Sequence, residues 1–271
     1  MEKVRHEHGY AKLTRSLRVV GRRADGMHLI EAEMLTVGLA DDLEFRPAAS
    51  CSIEVFDASG KEDGDLAAGV PRDEANLVIR ALQLANRPAA VVLRKRIPAG
   101  AGLGGGSADA AAALRFAACD DLDVAVALGA DVPFCLAGGR AEVSGVGEIL
   151  HRLPMLELGF VVLSPAFAVS TAAVYRAYDA LWPTIPNAPG APSGNDLERA
   201  ALTVEPRLAR YRELFTEAVG TPPKLAGSGA SWFVECDPAE APALAACVES
   251  VLASSAARGR VNVCVAVPPF G

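Results

Sequence analysis

The sequence has little sulfur chemistry, little excess basic charge and no long apolar run, and each shortage excludes a class of protein. Its six cysteines (Cys51, Cys119, Cys135, Cys236, Cys247 and Cys264) are scattered, with no Cys-x-x-Cys pair. That spacing fits reduced thiols in a cytoplasmic protein, most of them acting as small core hydrophobes. Histidine is scarce, at 4 residues. The one close pair, His6 and His8, has no partner ligands clustered nearby to complete a metal site. Lysine and arginine number 26 against 33 acidic residues, for a formal net charge of −7. This balance argues against a nucleic-acid partner. An anionic small molecule stays open, because phosphate sites are built locally from amides and a few cations. No apolar run reaches the roughly 18 residues of a membrane span. The opening "MEKVRHEHGYAK" lacks an apolar core, so we expect no secretory signal and a cytoplasmic location.

What remains is ordinary globular composition. The 271 residues are 51% hydrophobic and 22% charged, enough for two modest domains or one large one. The first hundred residues read as strand-rich, with strands at 13–20, 27–37 and 51–56. The Asp25-Gly26 pair marks a hairpin turn between the first two. A helix is predicted over 74–86, a strand over 89–96 and a helix over 107–118 with Ser107 as its N-cap. Past Pro154 the pattern changes to a strand at 158–165, helices at 170–181 and 206–219, and strands at 224–226 and 231–236. A helix at 238–253 and a strand at 260–267 close the series. With the four-proline stretch 182–194 as a loop and one helix as an addition, this is close to the β-α-β-β-α-β order of a ferredoxin-like domain. We therefore expect two domains, 1–154 and 155–271.

Glycine and alanine are concentrated in "IPAGAGLGGGSADAAAAL", residues 97–114, where five glycines fall within seven positions. Each glycine costs roughly 1 kcal/mol relative to alanine in regular structure, so such a cluster needs a reason. Glycines that end at a helix start aim unpaired amides and the positive end of the helix dipole at one spot, which suits a phosphate. A P-loop is excluded, because no Gly-Lys-Ser/Thr closes the stretch. A dinucleotide fingerprint is matched in letters by Gly100, Gly102 and Gly105. It lacks a clean buried strand before it, with "RKRIP" intervening. A Rossmann oxidoreductase therefore ranks last among the readings.

The pattern Pro98-x-x-x-Gly102-Leu103-Gly104-x-x-Ser107-Ala108 resembles the phosphate-binding motif of the GHMP kinase superfamily. The resemblance spreads through "AKLTRSL", "GRRADGMH", "NLVIRA", "LGADVPFCLAGGRAEVSGVGE", "STAAVY", "NDLE" and "GSGAS", in the order found in members that act on a cytidine-diphosphate-linked methylerythritol. It implies an α+β kinase with an N-terminal ribosomal-protein-S5-domain-2-like fold, a C-terminal ferredoxin-like fold and a site in the cleft between them. It further implies phosphorylation of that substrate's 2-hydroxyl by ATP and Mg2+, a step of the non-mevalonate isoprenoid route. Another small-alcohol acceptor, of the mevalonate or homoserine type, and a non-catalytic nucleotide-binding relative remain as alternatives. Whether the chain is a monomer or a homodimer stays open.

The resemblance also assigns residues. Pro98, Ala99, Gly100, Ala101, Gly102, Leu103, Gly104, Gly105, Gly106, Ser107 and Ala108 would wrap the ATP phosphates, with the Ser107 hydroxyl in reach of phosphate or magnesium. Gly227, Ser228 and Gly229 would close the same end, and Asn76 and Lys95 would lie near the adenine. Asp131 matches the catalytic aspartate, which takes or orients the acceptor's proton. Its alternative reading is a helix or turn cap. Lys12 matches the second catalytic residue, an ammonium to counter the charge of the carboxylate and the γ-phosphate. His28, Thr171 and Tyr175 match the cytidine end. Met27 stands where the family has tyrosine, replacing one ring of a base sandwich with a thioether. Thr14 stands where it has asparagine, losing an amide that donates and accepts together.

Overall fold

The computed structural model describes residues 3–58, 60, 66–181 and 194–270. Strands β1 (Arg5–Arg22) and β2 (His28–Pro47) pair antiparallel, and the chain reverses between them at the expected Asp25-Gly26 turn. Both run far beyond the apolar segments that announce them. Burial alternates along their polar ends, so side chains such as Leu43 and Phe45 face the core while Asp42 and Glu44 face out. Strand β3 (Ser52–Asp57) runs parallel to β4 (Ala89–Lys95), with helix α1 (Leu77–Leu84) in the connection. The sheet order is β3-β4-β2-β5-β6, with β1 on β2 and with β5 (Arg140–Gly145) and β6 (Ile149–Arg152) at one edge. Between β4 and β5 lie α2 (Gly105–Phe116), α3 (Leu122–Leu128) and α4 (Val132–Ala137).

Helix α2 explains the alanines. Ala108 and Ala110 through Ala113 are buried on every side, so the helix is wedged between β1, α1 and α4 and not laid on a surface. Small side chains allow that approach and alanine holds the helix at the least conformational cost. The sheet reciprocates at Gly9, where an added Cβ would meet Asp109 Oδ1 at 2.6 Å and the Ala108 backbone at 3.1 Å. At the far end, the rings of Phe116 and Phe45 stack at 4.4 Å. Such a pair contributes about 0.5–1.5 kcal/mol beyond its buried area.

The second half contains β7 (Gly159–Pro165), α5 (Thr171–Leu181), α6 (Glu198–Val204), α7 (Leu208–Val219), β8 (Lys224–Leu225), β9 (Trp232–Cys236), α8 (Ala241–Ala253) and β10 (Gly259–Val265). Its sheet order, β10-β7-β9-β8 with every pair antiparallel, is the ferredoxin-like arrangement. Two helices, α5 and α6, precede α7, where the periodicity predicts one. The proline loop lies outside the described residues except for Gly194.

A small core binds the two sheets. Phe160, Val162, Phe233 and Cys264 pack with Ala11, Leu13, Leu35 and Val37 of the hairpin, and Ile97, Ala101 and Leu103 join them from above. The glycine stretch thus rests on the seam between the sheets, where both can contribute side chains. Burial pushes the thiols of Cys135 and Cys264 up to about 12, which leaves them inert core residues. Among the described residues no helix is long and apolar enough to cross a membrane.

Candidate active site

A cavity of about 520 Å³ opens at this seam. Its wall includes the stretch from Pro98 through Gly102 and from Gly104 through Ser107, and Gly227 and Ser228 also line it. Leu103 and Ala108, each 1% exposed, lie beneath it as core residues. Gly102 has φ +76°, and an added Cβ would meet the Ala226 carbonyl oxygen at 2.1 Å and that of Gly229 at 2.8 Å. The two glycine segments therefore touch through backbone, and no other residue fits there. Ser231 N–H donates to the Ala101 carbonyl across the same contact, at 3.0 Å.

Helix α2 starts two residues before the expected position. Its N-cap is Gly104, in the left-handed region at φ +71° with no side-chain cap, and not Ser107. Ser107 lies inside the first turn, where N–H groups have no intrahelical partner. The cavity thus faces an uncapped helix start, with free amides and the positive end of the dipole.

Lys12 projects from β1 into the floor of this cavity. It is 5% exposed, and its Nζ lies 3.3 Å from Asp131 Oδ2 and donates to Thr14 Oγ1 at 3.2 Å. Its own backbone is fixed by the bond from Lys12 N–H to the Leu103 carbonyl. Asp131 occupies the N-cap position of α4, yet its side chain makes no capping bond. The carboxylate lies on the cavity wall and meets Lys12 instead. A carboxylate and an ammonium beside a bank of free amides can orient a hydroxyl, accept its proton and hold a phosphate.

Lys95 and Asn76 also line the cavity, but each is already engaged. Asn76 caps α1, accepting from Val78 N–H at 2.9 Å and donating to the Pro71 carbonyl at 2.7 Å. The Lys95 ammonium is buried between Asp41 at 2.5 Å and Asp109 at 2.7 Å. Asp41 also accepts the backbone N–H of Arg96 and Ile97, so it ties the end of β4 to β2. Asp109 Oδ1 is buried without a partner among the described residues, and burial pushes this carboxyl well above the usual aspartate range. Neither aspartate is marked by the motifs. The one signal for Asp109 is its isolation, an acid within a run of alanines.

At the other end of the cavity, Thr171 Oγ1 and Ser228 Oγ are 2.8 Å apart. Asn195 pins the Gly227 turn by donating to the carbonyls of Leu225 and Gly227, which gives "NDLE" its structural part. Tyr175 lines the cavity and its ring lies against His28, with centroids 4.6 Å apart. Burial first, and then Asp131, pushes the Tyr175 phenol up to about 12, so it stays neutral. His28 Nε2 is 2.6 Å from Asp179 Oδ1 on α5. Neither His28 nor Met27 lines the cavity: His28 is connected to it only through its contact with Tyr175, and Met27 is 47% exposed in the hairpin turn. Gly229 likewise supports the turn without lining the cavity.

The two-layer α+β fold with a glycine loop, a buried lysine and a carboxylate at one cavity defines a GHMP kinase. The profile described as the GHMP kinases N terminal domain matches residues 76–139. Curated relatives narrow the class. The chain is 38% identical to the 4-diphosphocytidyl-2-C-methyl-D-erythritol kinase of Pelotomaculum thermopropionicum over 82% of this chain and 86% of that protein. It is 36% identical to the enzyme of that name from Paracoccus denitrificans, over 84% and 86%. A crystal structure of 4-(cytidine 5'-diphospho)-2C-methyl-D-erythritol kinase superimposes with a TM-score of 0.72 at 30% identity, covering 98% of this chain and all of that one. A homoserine kinase from Cytophaga hutchinsonii shares the fold alone, at a TM-score of 0.62 and 14% identity. The chain belongs to the 4-diphosphocytidyl-2-C-methyl-D-erythritol kinase family, ATP-dependent kinases of the methylerythritol phosphate route to isoprenoids.

Proposed function

We propose that this chain transfers the γ-phosphoryl group of ATP to the 2-hydroxyl of 4-diphosphocytidyl-2-C-methyl-D-erythritol, with Asp131 and Lys12 as its catalytic residues. The observation that carries this reading is the 3.3 Å pair of Lys12 and Asp131 in a cavity walled by the uncapped start of α2. Phosphoryl transfer asks a protein mainly to position two reactants and stabilise charge. The amides from Gly104 to Ser107 bind the phosphates. Asp131 orients the acceptor hydroxyl and takes its proton. Lys12 holds Asp131 in place and offsets charge on the transferred group. Thr171, Ser228 and Thr14 offer hydroxyls to the acceptor, and His28 with Tyr175 holds its base.

Ser107 Oγ, on the cavity wall and without a hydrogen bond to a described residue, is a hard oxygen donor of the kind magnesium takes. Magnesium carried on ATP supplies charge neutralisation between the phosphates. We take residues 1–154 as the ATP-binding domain and 155–271 as the second domain, a division between the two sheets.

Asp131→Asn tests the assignment. It should lose roughly 10²–10⁴ in turnover while ATP binding stays intact. Near-normal turnover by this variant sinks the catalytic assignment of Asp131.

A further inference from the structure

Residues 194–196 lie along β1 on the side away from β2. Leu17 N–H donates to the Gly194 carbonyl at 2.8 Å, and Asp196 N–H donates to the Leu17 carbonyl at 2.9 Å. Asn195, 3% exposed, is thereby held between β1 and the Gly227 turn. Its Nδ2 donates to the carbonyls of Leu225 at 2.9 Å and Gly227 at 2.7 Å, and its Oδ1 accepts from Leu197 N–H at 2.9 Å. Two acceptors and one donor around the amide fix which end is nitrogen. Asn195 is outside the lining of the cavity, whereas Gly227 and Ser228 form part of its wall. The Gly227–Ser228 peptide is trans, so its N–H points opposite to its carbonyl. With that carbonyl turned out to Asn195, the Ser228 N–H faces the cavity, and it donates to no described residue. A Cβ added at Gly227 would lie 3.4 Å from Lys12 Nζ, so the turn stands against the lysine that pairs with Asp131.

We propose that Asn195 is a positioning residue for phosphoryl transfer. By holding the Gly227 carbonyl outward it aims the Ser228 N–H at the phosphoryl group being transferred, beside Lys12. The inference rests on the proposed kinase reading, in which that group passes between the α2 amides and Asp131. It goes further in adding a donor from the second sheet and naming the residue that orients it. A donor fixed before the reaction stabilises developing charge without having to reorganise. Without the two Asn195 donors the peptide is free to rotate, and a glycine at 227 opposes that rotation little. A Gly227 carbonyl turned inward would set a partial negative charge against the phosphate.

The test measures calorimetric affinities for ADP, CDP and AMP-PNP, an ATP analogue whose γ-phosphoryl group does not transfer, with turnover beside them. Wild type is compared with Asn195→Asp at pH 8, where a carboxylate keeps the acceptor for Leu197 N–H and removes both donors. The variant should lower kcat and the AMP-PNP-to-ADP affinity ratio by about tenfold or more, the scale of one hydrogen bond to a charged group. Its affinities for ADP and CDP should stay at the wild-type level. An amide-to-ester exchange at the Gly227–Ser228 linkage removes the N–H alone and should give the same loss, so the inference does not depend on Asn195→Asp folding well. An AMP-PNP-to-ADP ratio unchanged by the ester overturns the inference. So does a loss of CDP affinity with that ratio intact, which would assign the N–H to the acceptor's diphosphate. Both outcomes leave the kinase reading standing, whereas wild type that binds neither ADP nor AMP-PNP contradicts that reading itself.

Discussion

Arg15 forks onto Glu235, with Nε 3.1 Å from Oε1 and Nη2 2.6 Å from Oε2. Arg15 belongs to β1 and Glu235 to β9, so one bidentate pair joins the two sheets. Glu33 extends the network to Arg15 and Arg140, and Lys224 reaches Glu235 at 3.0 Å. The Arg15 and Glu235 side chains are 16% and 20% exposed, which spares them part of the screening that weakens surface pairs. Arg15→Met leaves Glu33 with Arg140 alone and Glu235 with Lys224 alone, and we expect a loss of about 1–2 kcal/mol, below that of breaking a wholly buried pair. Chemical denaturation of wild type and variant gives the difference.

The same network predicts how stability responds to acid. Burial pushes Glu33 and Glu235 upward, but the arginines around them, and Lys224 beside Glu235, outweigh it and hold both carboxyls below the usual glutamate range. A depressed folded value contributes stability that is present above the unfolded value, about 4.3, and lost as pH falls through the folded one. Wild type should therefore lose stability below about pH 4.3 more steeply than Arg15→Met. Melting curves from pH 3 to 7 check this; parallel curves would remove the network from the acid response.

Asp109 gives the opposite sign. Burial raises its carboxyl despite Lys95, so its folded value lies above the unfolded one. That contribution is complete below the unfolded value, about 3.9, and is lost as pH rises toward the folded one. Asp109→Asn removes the cost of a buried charge while keeping an oxygen for Lys95, which retains Asp41. The variant should match or exceed wild-type stability at pH 7.5 and give up that advantage toward pH 4.5. A large loss at pH 7.5 would show that the charge itself holds Lys95.

Two glycines on either side of the start of α2, Gly102 and Gly106, separate geometry from composition. Gly102→Ala places a methyl on two carbonyl oxygens at positive φ. It should cost about 2 kcal/mol or more and abolish ATP binding. Gly106→Ala meets only Leu77 Cδ1, at 3.7 Å, and should fold as stably as wild type. Thermal melts with and without ATP distinguish the two. A tolerated Gly102→Ala contradicts the close contact with the Ala226 carbonyl.

Much of the fold was legible because it is local. The alternation in 231–236 and 260–267 and the helical period of 238–253 announce the second sheet, and the glycine cluster announces the phosphate-facing loop. The polar ends of β1 and β2 were not legible as strand, because their apolar residues stand singly between charged ones. Nor did the motifs assign elements to 121–152, where α3, α4, β5 and β6 lie. The helix starts before Ser107, whose hydroxyl resembles a cap in sequence, because Gly104 reaches the cap position through left-handed backbone. Within the site, Lys12 and Asp131 lie 3.3 Å apart although 119 positions separate them in the chain. The partners that brace it were hidden by distance along the chain: Asp41 is 54 residues from Lys95, and Asp179 is 151 from His28. Carboxylates like these carry no local signature, since their chemistry exists only once the sheet and helices have met. Met27 shows the reverse, a position marked by a motif whose side chain stays outside the cavity.

The most direct measurement is ADP formation by the purified chain with Mg-ATP and one acceptor at a time: 4-diphosphocytidyl-2-C-methyl-D-erythritol, mevalonate or homoserine. We expect ADP release, and a phosphorylated product, with the cytidylyl substrate alone. Release with mevalonate or homoserine and none with the cytidylyl substrate would contradict the proposed acceptor, and silence with all three beside measurable ATP binding would contradict the proposed reaction.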